Sequence, residues 1–343
     1  MSDADATQPG QPGLTLDRIR EAEERIRGIA RRTPVLTSST LDAEVDGTVL
    51  LKAEMFQRSG AFKFRGAFNR MSLLDLPERD QGVVAYSSGN HAAAVALAAR
   101  LLGIRAVVVV PSTGSPAKLA AIAGYGAEMV QYDPAAERRE EVAAAIAAER
   151  GMTIIRPFDD YDIMAGQGTA GLELAVQAGP DGIDQVLVPV GGGGLAAGVA
   201  TAIKGLLPGA RVIGVEPSAA DDTARSFRAG HRVTIPPPAT IADGLLAEQP
   251  GELTFAVNSV LLDDVVTVPE TAIADAMAFC FTTLKVVAEP SAAVPLAALR
   301  TGVVPAAGRR TAVVLSGGNI TPAALAALVP APQPAITAGN FRE

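Results

Sequence analysis

One cysteine, Cys280, and two histidines, His91 and His231, are all that the chain of 343 residues has of either type, and it has no tryptophan. A single cysteine excludes an internal disulfide and any multi-cysteine metal site. Two histidines argue against a multi-histidine metal centre, and a Ser-His-Asp hydrolase would have to use one of them. Cys280 lies in the apolar run "AMAFCFTTL" and reads as a core residue. Aromatic residues make up only 4 % of the chain, so the core must be built from Ala, Val and Leu. The net charge is -8 and the basic residues are scattered, which excludes a nucleic-acid partner or an anionic membrane surface as expectations. Apolar runs such as "AVVVVP" are too short to span a bilayer. The opening "MSDADATQPGQPG" has neither a basic n-region nor an apolar h-region, so no secretory signal is read there and a cytoplasmic location is expected. Lysine, carboxylate, hydroxyl or a cofactor is left to carry the chemistry.

Short β-branched runs recur between Ala-rich stretches: "TVLLKAE", "GVVAYS", "RAVVVVP", "EMVQYD", "TIIRPF", "QVLVPV", "RVIGVE", "DDVVTV" and "RTAVVLS". Helical stretches such as "NHAAAVALAARLLG", "GLAAGVATAIKGLLP" and "AIADAMAFCFTTLK" fall between them. Continuous apolar strands alternating with helices predict a doubly wound α/β protein with mostly parallel sheets covered on both faces. Four of the strands fall between Gly82 and Phe158 and suffice for a sheet of their own. The expected organisation is a large domain from 14–75 and 159–329, a small domain at 76–158, and flexible tails at 1–13 and 330–343. "IPPPAT" reads as a rigid connection.

In "RSGAFKFRGAF", Lys63 stands between two phenylalanines. An ammonium held among apolar groups loses hydration and is easier to deprotonate, which a nucleophilic amine requires. A lysine snorkelling from a helix start is the alternative. Three strand-to-helix junctions then stand out, because open α/β sheets gather ligands at the carboxyl ends of strands. In "AYSSGNHAAA", Ser87, Ser88, Gly89, Asn90 and His91 form either a helix cap or a cup of donors for a carboxylate. In "PVGGGGLAAG", Gly191 to Gly194 bring backbone N–H groups to a helix start, as a phosphate cradle does. The same stretch fits a G-x-G-x-x-A dinucleotide fingerprint through Gly191, Gly193 and Ala196, with Glu216 near the acidic position, so a nicotinamide-dependent oxidoreductase is a second reading. In "VVLSGGNITP", Ser316 offers a hydroxyl at a sheet edge, in either an ordinary turn or a contact with a bound ring.

Together "GAFKFRGA", "SSGNHA", "AGQGTAGLE", "GGGGL", "GVEPSAADD", "TIADGL", "VVAEPSAA" and "LSGGN" resemble, in order and over nearly all of residues 20 to 325, the fold-type II pyridoxal-phosphate enzymes of the serine/threonine dehydratase and serine racemase group. The resemblance implies a tryptophan synthase β-like fold of two open, twisted, mostly parallel sheets. It implies pyridoxal 5'-phosphate (PLP) as cofactor, with Lys63 as its Schiff-base lysine and Phe62 against its ring. It places the 5'-phosphate on Gly191, Gly192, Gly193, Gly194 and Leu195, the 3'-oxygen on Asn90 and the pyridine nitrogen at Ser316. The substrate carboxylate falls to Ser87, Ser88, Gly89, Asn90 and His91, and Ser88 matches the opposite-face residue of racemases. Glu216, the Ala220 carbonyl and Asp222 match a loop that binds Mg or a similar cation.

The activity implied is dehydration and deamination of a small β-hydroxy amino acid, L-threonine or L-serine, to a 2-oxo acid and ammonia, in a homodimer. Racemisation of serine and dehydration of 3-hydroxyaspartate or a phenylserine-like compound are the neighbouring readings, and a non-catalytic PLP carrier is the reading from another class. Ala61, Ala93, Arg156 and Tyr161 depart from common family residues near the cleft and bear on substrate identity.

Overall fold

The structure, a computed structural model, describes residues 13–329 except Ser88, Ser115 and the side chains of Pro116, Ala117, Lys118 and Ala121. Ten strands form among the described residues: β1 (Val35–Leu36), β2 (Thr48–Ala53), β3 (Val83–Tyr86), β4 (Ala106–Pro111), β5 (Glu128–Tyr132), β6 (Thr153–Ile154), β7 (Gln185–Pro189), β8 (Arg211–Pro217), β9 (Asp264–Val268) and β10 (Arg310–Leu315). All but β1 coincide with the β-branched runs. β1 is two residues long, too short to carry a periodic signal.

The strands divide into two sheets, in the orders β1-β2-β10-β7-β8-β9 and β5-β4-β3-β6. Every pairing is parallel except β1 with β2. β7 is buried along its whole length, as a central parallel strand with helices on both faces should be. β6 is shorter than "TIIRPF" predicts. The Ile155 N–H makes the last bond to the sheet, to the Val84 carbonyl at 2.9 Å, and Arg156, Pro157 and Phe158 then leave it for the cleft.

The smaller sheet comes from a continuous stretch, while the larger takes strands from both sides of it. We propose 76–158 as the small lobe and 14–75 with 159–329 as the large one. The cores do not separate so cleanly. Phe64, Phe68 and Met71 of the helix Lys63–Ser72 share one apolar cluster with Val83, Ala94 and Ala98 of the smaller unit. That helix also lies on Tyr161–Gln177, so closely that a Cβ on Gly166 would stand 2.6 Å from the Gly66 Cα. Gly13, assigned to the tail by composition, is held: its carbonyl accepts from Arg18 Nη1 at 2.7 Å. The remaining tail residues, 1–12 and 330–343, lie outside the described residues. Among those described, no helix is long and apolar enough to cross a membrane.

Beneath the lysine loop lies a closed set of charges. The fully buried Arg65 guanidinium pairs with Glu54 at 2.8 Å and Glu173 at 2.7 Å, and buried Lys52 pairs with Glu173 at 2.6 Å. Two cations meet two carboxylates, so no net charge is stranded in the core. Glu54 precedes the loop and Arg65 follows it, and their pairing ties its two ends together.

Candidate active site

Because the strands of each sheet run parallel, their carboxyl ends share an edge, and the three junctions come together there. The loop carrying Lys63 crosses to the end of β10: the Phe62 N–H donates to the Ser316 carbonyl at 3.0 Å, and Ala61 bridges Gly317. From the smaller sheet, Asn90 at the start of the helix Asn90–Leu102 reaches Glu289, its Nδ2 donating to Oε1 at 2.6 Å. Glu289, 4 % exposed, caps the helix Pro290–Arg300 and donates its own N–H to the Gly317 carbonyl at 3.1 Å.

Lys63 opens its helix and is half-buried. Its Nζ donates to the Pro157 carbonyl at 2.7 Å and lies 5.1 Å from the Phe62 ring centroid. Burial lowers its pKa to about 8. The apolar company read from the sequence thus lowers the pKa as expected, and the segment leaving β6 supplies the one polar contact among the described residues. His91 has a different place from the one its motif suggests. Its ring is buried, and burial, with the Lys63 charge adding to it, holds the pKa down to about 3. The neutral ring donates Nε2–H to the Ile155 carbonyl at 2.9 Å. The side chain is committed to the small lobe, and the residue offers the cleft its first-turn backbone N–H. Ser87 Oγ accepts from the Gly89 N–H at 3.2 Å, turning the loop into the helix. Ser88 lies outside the described residues, so its racemase-type role has no structural counterpart here.

The glycine loop joins β7 to the helix Gly194–Leu206. Thr254 Oγ1 donates to the Gly192 carbonyl at 2.7 Å and Asn258 Nδ2 to the Gly193 carbonyl at 3.1 Å. With the carbonyls drawn to one side, the N–H groups of the loop and first turn face the other, which makes an anion nest. Among the described residues no acceptor bonds to the N–H groups of Gly192, Gly193, Gly194 or Leu195. A Cβ on Gly192 would lie 2.3 Å from the Phe158 ring. Gly193 has φ +90°, and a Cβ there would meet Asn258 Nδ2 at 2.6 Å. Only glycine fits this cradle. Its geometry suits a phosphate beside an amine of lowered pKa, which are the two features that PLP requires.

Glu216, at the carboxyl end of β8, is fully buried. Its carboxylate turns into the start of the helix Asp222–Ala229, accepting from Thr223 N at 3.1 Å and Ala224 N at 2.8 Å. It is therefore not free to hold a ribose, which removes the second leg of the dinucleotide reading. Both carboxylate oxygens of buried Asp222 lack a hydrogen-bond partner among the described residues. Burial pushes the Asp222 carboxyl up to about 7, and burial with the charge of Asp222 pushes Glu216 up as well. Two crowded carboxylates, Asp222 with both oxygens orphaned and Glu216 with a lone pair left on each oxygen beyond one backbone N–H, beside the Ala220 carbonyl, are a donor set that suits a hard divalent cation. Only two of the donors are carboxylates, consistent with there being no cluster of three His, Cys, Asp or Glu side chains among the described residues.

Pro157, Phe158, Thr254, Asn258, Glu289 and Asn319 belong to the site and escape a motif reading, because they act through contacts distant in sequence. Only Glu289 and Asn319 leave a signal, as members of "VVAEPSAA" and "LSGGN".

Comparison with known proteins gives the same picture. The sequence model of a family described as "Pyridoxal-phosphate dependent enzyme" matches residues 26–317. An L-threo-3-hydroxyaspartate ammonia-lyase of Pseudomonas sp is 46 % identical over 280 residues, which are 82 % of this chain and 87 % of that protein. A serine racemase of Schizosaccharomyces pombe is 44 % identical over 286 residues, 83 % of this chain and 88 % of that protein. The crystal structure of a T.th. threonine deaminase superposes with a TM-score of 0.85 at 46 % identity, covering 90 % of this chain and 99 % of that one.

Proposed function

The chain belongs to the pyridoxal-phosphate dependent enzyme family, and from that premise we propose that it eliminates water from a small β-hydroxy amino acid, L-threonine or L-serine, and that the released enamine takes up water to give a 2-oxo acid and ammonia. The observation that carries the proposal is the amine of Lys63, its pKa lowered to about 8, in a cleft that also contains an unpartnered glycine nest.

Bound PLP supplies the electron sink that makes the substrate's α-proton acidic and lets the β-hydroxyl leave. The protein does the rest. Gly191 to Gly194 and the Leu195 N–H would hold the phosphate, and Phe62 would pack against the ring. Ser87, Gly89, Asn90 and His91, the last through its backbone N–H, receive the α-carboxylate at a helix N-terminus, where the dipole favours it. Lys63 Nζ takes the α-proton, and a pKa near working pH suits it to carry a proton both ways. Ser316 would offer the pyridine nitrogen a neutral hydroxyl, and a ring so partnered would store less negative charge than one opposite a carboxylate. Prompt loss of the β-group is thereby favoured over transamination. Glu216, the Ala220 carbonyl and Asp222 would hold a divalent cation at the end of β8. A homodimer is proposed from the resemblance alone.

A substrate with a second carboxylate, 3-hydroxyaspartate, is favoured by one observation. Arg156 stands between Ile155 and Pro157, whose carbonyls bond His91 and Lys63, and its charge reaches Tyr86 beside the cleft, where Arg139 is already paired with Glu140 at 2.8 Å and Asp159 adds a negative charge. Arg139 lies 5.9 Å from the Tyr86 ring centroid.

Release of 2-oxo acid from L-threonine, L-serine, their D-forms and 3-hydroxyaspartate tests both readings. Turnover of threonine or serine is expected, and preference for 3-hydroxyaspartate that Arg156→His reverses would establish the dicarboxylate reading. Bound PLP with no oxo acid from any of these compounds would sink the dehydratase assignment.

A further inference from the structure

Asn90 is held at both ends of its amide, and the partners dictate which end is which. Asn319 Nδ2 donates to the Ser59 carbonyl at 2.7 Å, an acceptor only, so that end of Asn319 must be nitrogen. Its second hydrogen goes to Asn90 Oδ1 at 2.8 Å. The opposite end of Asn90 is therefore nitrogen too, and one of its hydrogens goes to Glu289 Oε1 at 2.6 Å. The polarity runs through four groups without a break: Ser59 carbonyl, Asn319, Asn90, Glu289. One N–H of Asn90 is left over. Gly317 makes room for the carboxylate, since a Cβ there would lie 2.5 Å from Glu289 Oε1.

We propose that Glu289 and Asn319 are positioning residues that fix the orientation of the Asn90 amide, so that its remaining N–H donates to the 3'-oxygen of PLP. The inference rests on the PLP reading of the site and adds to it the device that keeps Asn90 a donor. Without Glu289 the amide is held at its oxygen end only, by Asn319, and each excursion that turns it over opposes the 3'-oxygen with a lone pair where a hydrogen is needed. The chain also joins the lobes, because Asn90 belongs to the smaller unit and Ser59, Asn319 and Glu289 to the larger.

Full-length protein loaded with PLP, or with 3-deoxypyridoxal 5'-phosphate, which lacks the 3'-oxygen, separates this role from a structural one. The rate of cofactor loss on dilution is the readout. Glu289→Leu is expected to lose PLP about 10-fold faster than the parent, the size of one hydrogen bond to a charged acceptor, while Glu289→Gln, which still offers an acceptor, stays close to the parent. The deoxy analogue should leave all of these proteins at one rate. Asn319→Asp, at an exposed position that does not threaten folding, should reproduce the PLP-specific loss. Equal acceleration for both cofactors, or retention of PLP by both Glu289→Leu and Asn319→Asp at the parental rate, overturns the inference alone. A parent protein that takes up neither cofactor overturns the reading of the site and the inference with it.

Discussion

Lys52 and Lys63 are both lysines with apolar neighbours, Leu51 and Ala53 around one, Phe62 and Phe64 around the other. Both lose water, and burial lowers the pKa of both. Their company in space differs. Lys52, in β2, spends its three donors on the Thr33 carbonyl, Glu173 and Gln177, at 2.6 to 2.8 Å. The charges of Glu173 and Glu54 push its pKa back up against burial. Among the described residues Lys63 has one carbonyl and no carboxylate, and no charge there offsets its burial. Burial alone does not make a reactive amine; burial without a counter-charge does. The same contrast separates Arg65, whose charge is closed by Glu54 and Glu173, from the pair Glu216 and Asp222, which no cationic side chain among the described residues neutralises.

The comparison breaks most sharply at the lysines themselves. Lys63→Ala is expected to lower 2-oxo-acid formation by at least about 10³-fold and to abolish borohydride-fixed attachment of PLP. Lys52→Met should keep the attachment, since Glu173 retains Arg65 as its partner. Peptide mapping of the reduced protein decides, and label on Lys52 would invert the roles.

A smaller effect comes from pH. The Lys63 pKa is lowered from 10.5 to about 8 by burial, so the nucleophilic free amine dominates only above pH 8. Uptake of PLP by the cofactor-free protein should therefore speed up about tenfold per pH unit below that point and level off above it. By linkage the native state binds fewer protons than the unfolded one between about pH 8 and 10.5, so Lys63 adds stability as pH rises through that window. An uptake rate that keeps rising tenfold per unit well past pH 8 would mean that Lys63 keeps a counter-charge beyond the Pro157 carbonyl.

The smallest effect concerns the unneutralised carboxylates. Magnesium at 100 times its Kd should stabilise the fold by about 2.7 kcal/mol, read as a rise in Tm. Asp222→Asn should abolish that rise and leave the lysine site intact. A parent protein indifferent to magnesium, calcium and manganese would leave Asp222 as a buried acid with its pKa raised by burial.

Much of the fold was legible because its signals are local. β-branched runs between Ala-rich helical stretches gave nine strands and the parallel α/β class, and the four strands between Gly82 and Phe158 do form their own sheet. The close backbone approach at Gly191 to Gly194 was legible too, since four glycines in a row leave room that side chains would fill, here taken by Phe158 and Asn258. The second strand partner, β1, and the early end of β6 were not legible, because two-residue pairings depend on neighbours elsewhere in the chain. His91 shows the limit for side chains. Its motif placed it at the cleft, yet its ring turns to Ile155, a choice made by packing that no neighbouring residue encodes.

By itself, then, the amino-acid order determined which segments become strands and helices, which junctions carry hydroxyls, glycines or a lysine, and that the core is aliphatic. These follow from side-chain volume, backbone freedom and periodicity over a few residues. Only the tertiary structure decided that Lys63 rather than Lys52 lacks a counter-charge, that Phe158 closes the glycine cradle, and that Glu289 faces Asn90 across the cleft. Each depends on a Coulombic, steric or hydrogen-bond contact between residues far apart in the chain, and such contacts exist only once the sheets have brought their carboxyl ends together.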